Sequence, residues 1–215
     1  MNFRLRGTCV MLFLVLLGGV VTAEELVRIA LPAPQMHGGK PLMDALALRA
    51  TSRAFASDRL PLQTLSSVLW AACGINRPEK GLHTAPAAVK LDTDVYVVME
   101  SGAYIYNPKT NALDPVVAGD YRILTGTQAF VKDAPVTLVY VANASRMRGE
   151  PDSIKVPYEW ANASFISENV YLFAASEGLA TGVRASIDRP TLANVLRLNA
   201  DQSIIMAQCV GYPKK

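Results

Sequence analysis

The stretch Val95–Asn107, VYVVMESGAYIYN, reads as two β-strands folded back on each other. Val95–Glu100 and Ala103–Asn107 are rich in β-branched and aromatic residues, and Ser101-Gly102 between them suits a tight turn. Tyr96, Tyr104 and Tyr106 are placed on one parity of this hairpin and are expected to pack across it. Further along, Val136–Ala142 (VTLVYVA) is an unbroken apolar run between Pro135 and Asn143, the pattern of a central strand buried on both faces. Ile204–Val210 (IIMAQCV) is a second such run, and Gly182–Ala185 offers a short strand.

Helical periods surround these strands. One helix is expected around Leu42–Ala50. A second carries Leu62, Leu65, Val68, Leu69 and Ala72 at helical spacing, with Pro61 in its first turn and Gly74 as its stop. A third runs from about Ala161 to Glu177 and stops at Gly178. A fourth is capped by Asp188, carries Pro190 in its first turn and reaches about Leu198. Residues 75–93 and 144–160 show no clear period and are expected as loops, the second a candidate lid carrying Trp160. Helices, then strands, then helix and strand predict an α+β fold.

The chain has 215 residues, 51% hydrophobic and 18% charged, which suits one domain and excludes a disordered or collagen-like chain. Lys and Arg number 21 against 18 acids, with no basic run, so nucleic acid is not an expected partner. Arg4 and Arg6 precede the apolar stretch Cys9–Val21, and Val21-Thr22-Ala23 then offers small residues ahead of Glu24. That layout predicts a secretory signal peptide over residues 1–23 and an exported, periplasmic protein whose domain spans 24–215. The stretch is short for a membrane span, which needs about 20 apolar residues. Beyond it, Cys73 and Cys209 could pair in an exported protein, but each sits in an apolar segment and buried free thiols are the preferred expectation. Only His37 and His83 are available, and no metal site is expected.

The segment Arg49-Ala50-Thr51-Ser52-Arg53-Ala54-Phe55 is the first candidate for the chemistry. Two guanidiniums four residues apart, with a hydroxyl between them, can converge on one phosphate, because Arg presents forks of donors matched to phosphate oxygens. A solvated face with two unremarkable arginines is the competing reading. No G-x-S-x-G or S-x-x-K suggests a serine hydrolase.

This R-x-T-x-R-x-F segment, with the Leu-rich helix ending in WAACGIN, resembles the opening of the FMN-dependent nitroreductase superfamily. Three further segments agree in order. His83-Thr84-Ala85-Pro86-Ala87-Ala88 is similar to the family's T-x-P-S-x loop. Ser167-Glu168-Asn169-Val170-Tyr171-Leu172-Phe173-Ala174-Ala175 with Gly178–Gly182 resembles its Q-N-L-x-L-A-A…G-L-G segment. Val210-Gly211-Tyr212-Pro213-Lys214 is similar to its G-Y-P end. The hairpin Gly102-Ala103-Tyr104-Ile105-Tyr106-Asn107-Pro108 is closest to the thiazoline and oxazoline oxidase branch.

The resemblance implies a central, mostly antiparallel sheet flanked by helices, in a domain-exchanged homodimer with non-covalent FMN at the subunit interface. It places Arg49, Thr51, Arg53 and Lys214 on the FMN phosphate. Pro86, Ala87 and Ala88 would line the flavin from the neighbouring subunit. Gly182, Val183 and Arg184 would lie near the ring or the phosphate, and Asn169 on a helix beside the cofactor. Ala87 stands where the family has Ser. Lys90 is either a cation that favours the reduced flavin or a surface lysine. The implied activity passes reducing equivalents to a nitro compound, quinone or similar small acceptor. The electron donor is left open between NAD(P)H and a quinone or protein. The alternative is an exported, non-catalytic binding module on the same fold.

Overall fold

The computed structural model describes residues 25–87 and 91–215; the predicted leader, Ala88 and Lys90 lie outside them. Strand β7 (Val136–Asn143) is the spine, buried along nearly its whole length as its continuous apolar run requires. It pairs with β4 (Thr93–Met99) on one side and β9 (Gln202–Gly211) on the other. Strands β5 (Gly102–Asn107), β6 (Ala112–Ala118) and the short β1 (Ile29–Ala30) extend the sheet beyond β4, and β8 (Ala180–Arg184) closes it beyond β9. The order is β1-β6-β5-β4-β7-β9-β8, and every pairing is antiparallel.

Helices cover both faces. Helix α2 (Leu62–Cys73) and the long α3 (Asp152–Glu177) lie on one face, where Leu65, Leu69, Ile166 and Val170 meet Val95, Val97, Leu138 and Tyr140. The short α4 (Arg189–Val195) lies on the other, with Ile187, Leu192 and Leu196 against Tyr96, Val98, Val139 and Val141. Full burial of an aliphatic side chain contributes roughly 1.5–3 kcal/mol, so this two-sided core supplies most of the driving force. Helix α1 (Leu42–Leu48) packs on α3. The fold is thus α+β with a central antiparallel sheet flanked by helices, as the sequence predicts.

Local signals behave as expected at several ends. Gly178 closes α3 in the left-handed conformation, φ 70°, which glycine adopts without steric cost. The Asp188 side chain accepts from the Thr191 N–H and caps α4. Cys73 and Cys209 are free and buried, and burial pushes the Cys73 thiol up to about 12.

Other expectations are corrected. The hairpin turns at Glu100-Ser101, since Met99 pairs with Gly102 and Tyr96 with Ile105. That register puts Tyr96 on the α4 face and Tyr104 and Tyr106 on the α2–α3 face, so the three tyrosines do not share a side. Residues 152–160 are not a loop but the first turns of α3. Pro157 sits inside the helix, where it removes one backbone hydrogen bond, and the buried Glu159, Asn162, Ala163 and Ile166 hold the helix through it. Trp160 is therefore a helix residue rather than part of a lid. Residues 75–93 contain a small hairpin, β2 (Ile75–Arg77) with β3 (Leu82–His83). Strand β6 has no counterpart in the sequence reading. Pro115 lies within it, tolerated because β1 covers only Ala112 and Leu113 on its outer side.

Candidate anion site

The candidate site forms where the chain leaves α1 and runs along the edge of the sheet. Arg49 caps α1, its N–H donating to Ala45 O at 2.9 Å, and the segment beyond it extends beside β8. The Ser52 N–H donates to Thr181 O at 2.8 Å. Gly182 makes the approach feasible: a Cβ there would stand 2.5 Å from Ser52 O and 3.3 Å from Thr51 Cγ2. Phe55 ends the segment as a buried anchor, stacked on Phe130 with 6.2 Å between centroids. The C-terminal strand-like tail runs alongside, with Ala56 N–H donating to Tyr212 O and Lys214 N–H to Ala54 O. Two long-range pairings therefore hold a stretch that has no regular structure of its own.

Arg49, Thr51 and Arg53 are all exposed on this segment. Among the described residues neither arginine forms an ion pair, whereas Arg28, Arg59, Arg122 and Arg146 are each paired with a carboxylate. Two uncompensated guanidiniums and a hydroxyl form a donor set suited to an anion with several acceptor oxygens, a phosphomonoester above all.

The sequence reading did not single out Tyr171. This α3 residue is 6% exposed. Its hydroxyl lies 2.9 Å from Thr51 Oγ1 and accepts from the Val183 N–H at 3.0 Å. The Arg49 guanidinium lies over its ring, 5.6 Å from the centroid. A tyrosine hydroxyl on the buried stripe of α3, beside Val170 and Ala174, is the signal that could have marked it.

Below, a buried polar network joins the site to the core. Tyr140 Oη donates to Gln208 Oε1, and Gln208 Nε2 donates to Thr181 Oγ1 at 3.0 Å and to Ser167 O at 3.3 Å. Thr181 Oγ1 in turn donates to Cys209 O at 2.8 Å. Burial holds the Tyr140 hydroxyl well above its ordinary range, so it remains a proton donor. Thr181 thus serves the core with its side chain and Ser52 with its carbonyl.

The structure brings Thr51 beside Gly182 and, through Tyr171, to Val183 and Arg49, leaves Arg53 exposed two residues further along, and runs the Lys214 backbone past Ala54. It uses the Arg184 side chain elsewhere. That guanidinium is buried, donating to Thr125 O at 3.1 Å, Thr125 Oγ1 at 2.7 Å and Cys209 Sγ at 3.1 Å, and lies over the Phe130 ring. Asn169 is half-buried on α3, two residues and so about 200° around the helix from Tyr171. Pro86 and Ala87 are exposed in the loop after β3. The preceding Thr84 ties that loop to the end of α2 through Gly74 O and Trp70 O.

Comparison with known proteins agrees with this architecture. Residues 46–212 match the Nitroreductase family. A nitroreductase-like protein of Methanocaldococcus jannaschii is 31% identical over 151 residues, covering 65% of this chain and 76% of its own. A crystal structure of a nitroreductase-like protein from Ralstonia eutropha superposes with a TM-score of 0.85 at 39% identity, covering 90% of this chain and 93% of that one. The NADPH:FMN oxidoreductase of Vibrio harveyi, complexed with NAD+, shares the fold at a TM-score of 0.60 and 15% identity, over 81% and 69% of the two chains. By its fold and by the family match over most of its length, the chain belongs to the nitroreductase family.

Proposed function

We propose that the protein is an FMN-dependent oxidoreductase acting on a nitro compound, quinone or similar small acceptor, and that Arg49, Thr51 and Arg53 hold the flavin phosphate. The observation that carries the reading is the exposed, uncompensated donor set fixed against β8 by Ser52 and Gly182. FMN supplies the redox chemistry when bound. The chain then binds and orients: its arginines neutralise the phosphate, Thr51 adds a directed donor, and the close approach at Gly182 keeps the segment rigid. The V. harveyi protein of this fold is an NADPH:FMN oxidoreductase, which supports a nicotinamide donor as the first to test.

The active form in this reading is a homodimer. Leu42, Met43 and Leu46 on α1 and Val156 and Trp160 on α3 are exposed apolar side chains at i, i+3 or i, i+4 spacing. A second copy of the chain is the occupant proposed for them, and in this reading Pro86 and Ala87 of each subunit face the other's flavin. The basic, then apolar, then small-residue leader supports export.

The test is an absorbance spectrum of the purified mature protein before and after FMN addition and dialysis, followed by NADH, NADPH or a reduced quinone as donor. Retained flavin bands bleached by one donor and restored by a nitroaromatic or quinone are the expected result. A protein that retains no flavin would overturn the reading in favour of a binding role. N-terminal sequencing of the exported protein tests cleavage after Ala23.

A further inference from the structure

The geometry points to Tyr171 as the positioning residue that sets the polarity of the anion site, turning Thr51 into an outward donor; this rests on reading that site as the flavin phosphate site. A tyrosine hydroxyl has a single hydrogen to give. The Val183 N–H, on the outer edge of β8, already donates to Tyr171 Oη at 3.0 Å. Among the described residues the other polar partner of that oxygen is Thr51 Oγ1, at 2.9 Å.

Two arrangements are then conceivable. If Thr51 donated to Tyr171, the phenolic hydrogen would have no protein acceptor among the described residues, on a side chain that is only 6% exposed as a whole. Leaving a buried donor unsatisfied carries a full desolvation penalty, so that arrangement loses. The hydrogen bonds therefore run one way, from Val183 N–H to Tyr171 Oη–H to Thr51 Oγ1. Thr51 keeps its own hydrogen for the solvent side. Each bond in such a chain polarises the next.

The same residue organises a second member of the set, since the Arg49 guanidinium lies over its ring. Tyr171 thus holds Thr51 with its hydroxyl and Arg49 with its face. The result is a site that donates and does not accept. It favours a phosphate, with its negative charge and several acceptor oxygens, over the neutral terminal hydroxyl of riboflavin. The specificity assigned here is for FMN over riboflavin.

The experiment titrates flavin-free full chain with FMN and with riboflavin, by quenching of flavin fluorescence, in wild type, Tyr171→Phe, Thr51→Val and the double variant. Phenylalanine keeps the ring under Arg49 and removes only the hydroxyl. Tyr171→Phe is expected to weaken FMN about three- to tenfold, the range of one net hydrogen bond, and to leave riboflavin unchanged. The double variant should bind FMN no more weakly than Thr51→Val alone, because Tyr171 acts through Thr51. An unchanged FMN affinity in Tyr171→Phe, an equal loss for both flavins, or the same loss in the Thr51→Val background would each overturn the assignment. A wild type that binds FMN and riboflavin equally would instead overturn the phosphate reading beneath it. Replacement of Tyr171 by 3-fluorotyrosine, a stronger donor of nearly the same shape, covers a phenylalanine variant that does not fold. It should tighten FMN and not riboflavin, and equal or weaker FMN binding would overturn the assignment.

Discussion

Gly182 and Ser52 meet backbone to backbone: a Cβ on Gly182 would stand 2.5 Å from the Ser52 carbonyl oxygen. The contact is made by main chain on the Ser52 side, so no side-chain rotation can relieve it. The segment that carries Arg49, Thr51 and Arg53 is fixed in place by this approach. Gly182→Ala should therefore push the segment off β8, costing about 1–3 kcal/mol of stability as overpacking does. Thermal unfolding and FMN titration of the variant check both consequences. A variant with wild-type melting and FMN affinity would show that the approach does not position the site.

Removing the cations tests the phosphate assignment directly. Charge-assisted hydrogen bonds contribute roughly 1.5–3 kcal/mol each, and exposure to solvent reduces that. Arg49→Ala with Arg53→Ala should weaken FMN about ten- to a hundredfold at low ionic strength. The wild-type affinity should itself fall as salt shortens the screening length to about 8 Å at physiological strength. Equal FMN affinity in the double variant would place the phosphate elsewhere.

The network under the site predicts a pairwise stability effect. Gln208→Leu leaves the buried Tyr140 hydroxyl without its acceptor and should cost about 1–3 kcal/mol in urea unfolding. Adding Tyr140→Phe removes the orphaned donor, so the double variant should be less destabilised than the sum of the two single variants. Strict additivity would mean that the Tyr140–Gln208 bond contributes nothing.

Glu159 predicts a pH dependence. Burial raises its pKa first, the Asp92 and Asp152 charges add to the rise, and Lys155 opposes it. The folded protein thus holds this proton more tightly than the unfolded chain. Its contribution to stability is fully present below the unfolded glutamate pKa, about 4.3, and is lost as pH rises through the higher folded value. Wild-type melting temperature should fall relative to Glu159→Gln across that window. Parallel profiles would contradict the burial of a titrating carboxyl there.

A disruptive charge tests the apolar face proposed for a second copy. Met43 and Trp160 are 73% and 42% exposed, so Met43→Glu with Trp160→Glu should leave the single-chain fold intact. Sedimentation should then show a monomer that has lost most of its flavin. A variant with wild-type mass would remove α1 and α3 from the interface.

Much of the fold was legible because it is written in local pattern. The apolar run of β7, the helical spacing in α2, the left-handed glycine after α3 and the Asp188 cap are all properties of neighbouring residues. The errors fall where local signals compete with packing. Pro151 and Pro157 argue for a loop, yet the buried side of α3 carries the helix through Pro157. Pro115 argues against a strand, yet it stands opposite Tyr104 in the β5–β6 ladder beside a register shift, and β1 pairs only with Ala112 and Leu113 on the outer side. A hairpin parity shifted by its turn moved Tyr96 to the opposite face from Tyr104.

The same division holds for the site. The sequence by itself determined which groups are offered: Arg49, Thr51 and Arg53 at fixed spacing, and a glycine at 182. Only the tertiary structure decided that Thr51 meets Tyr171, 120 residues away, that Val183 donates to the same hydroxyl, and that the Arg184 side chain turns into the core. Spacing along the chain follows from covalent geometry. Which donor faces which acceptor across the fold follows from how α3 and β8 pack, and that is settled by the burial of the whole core at once.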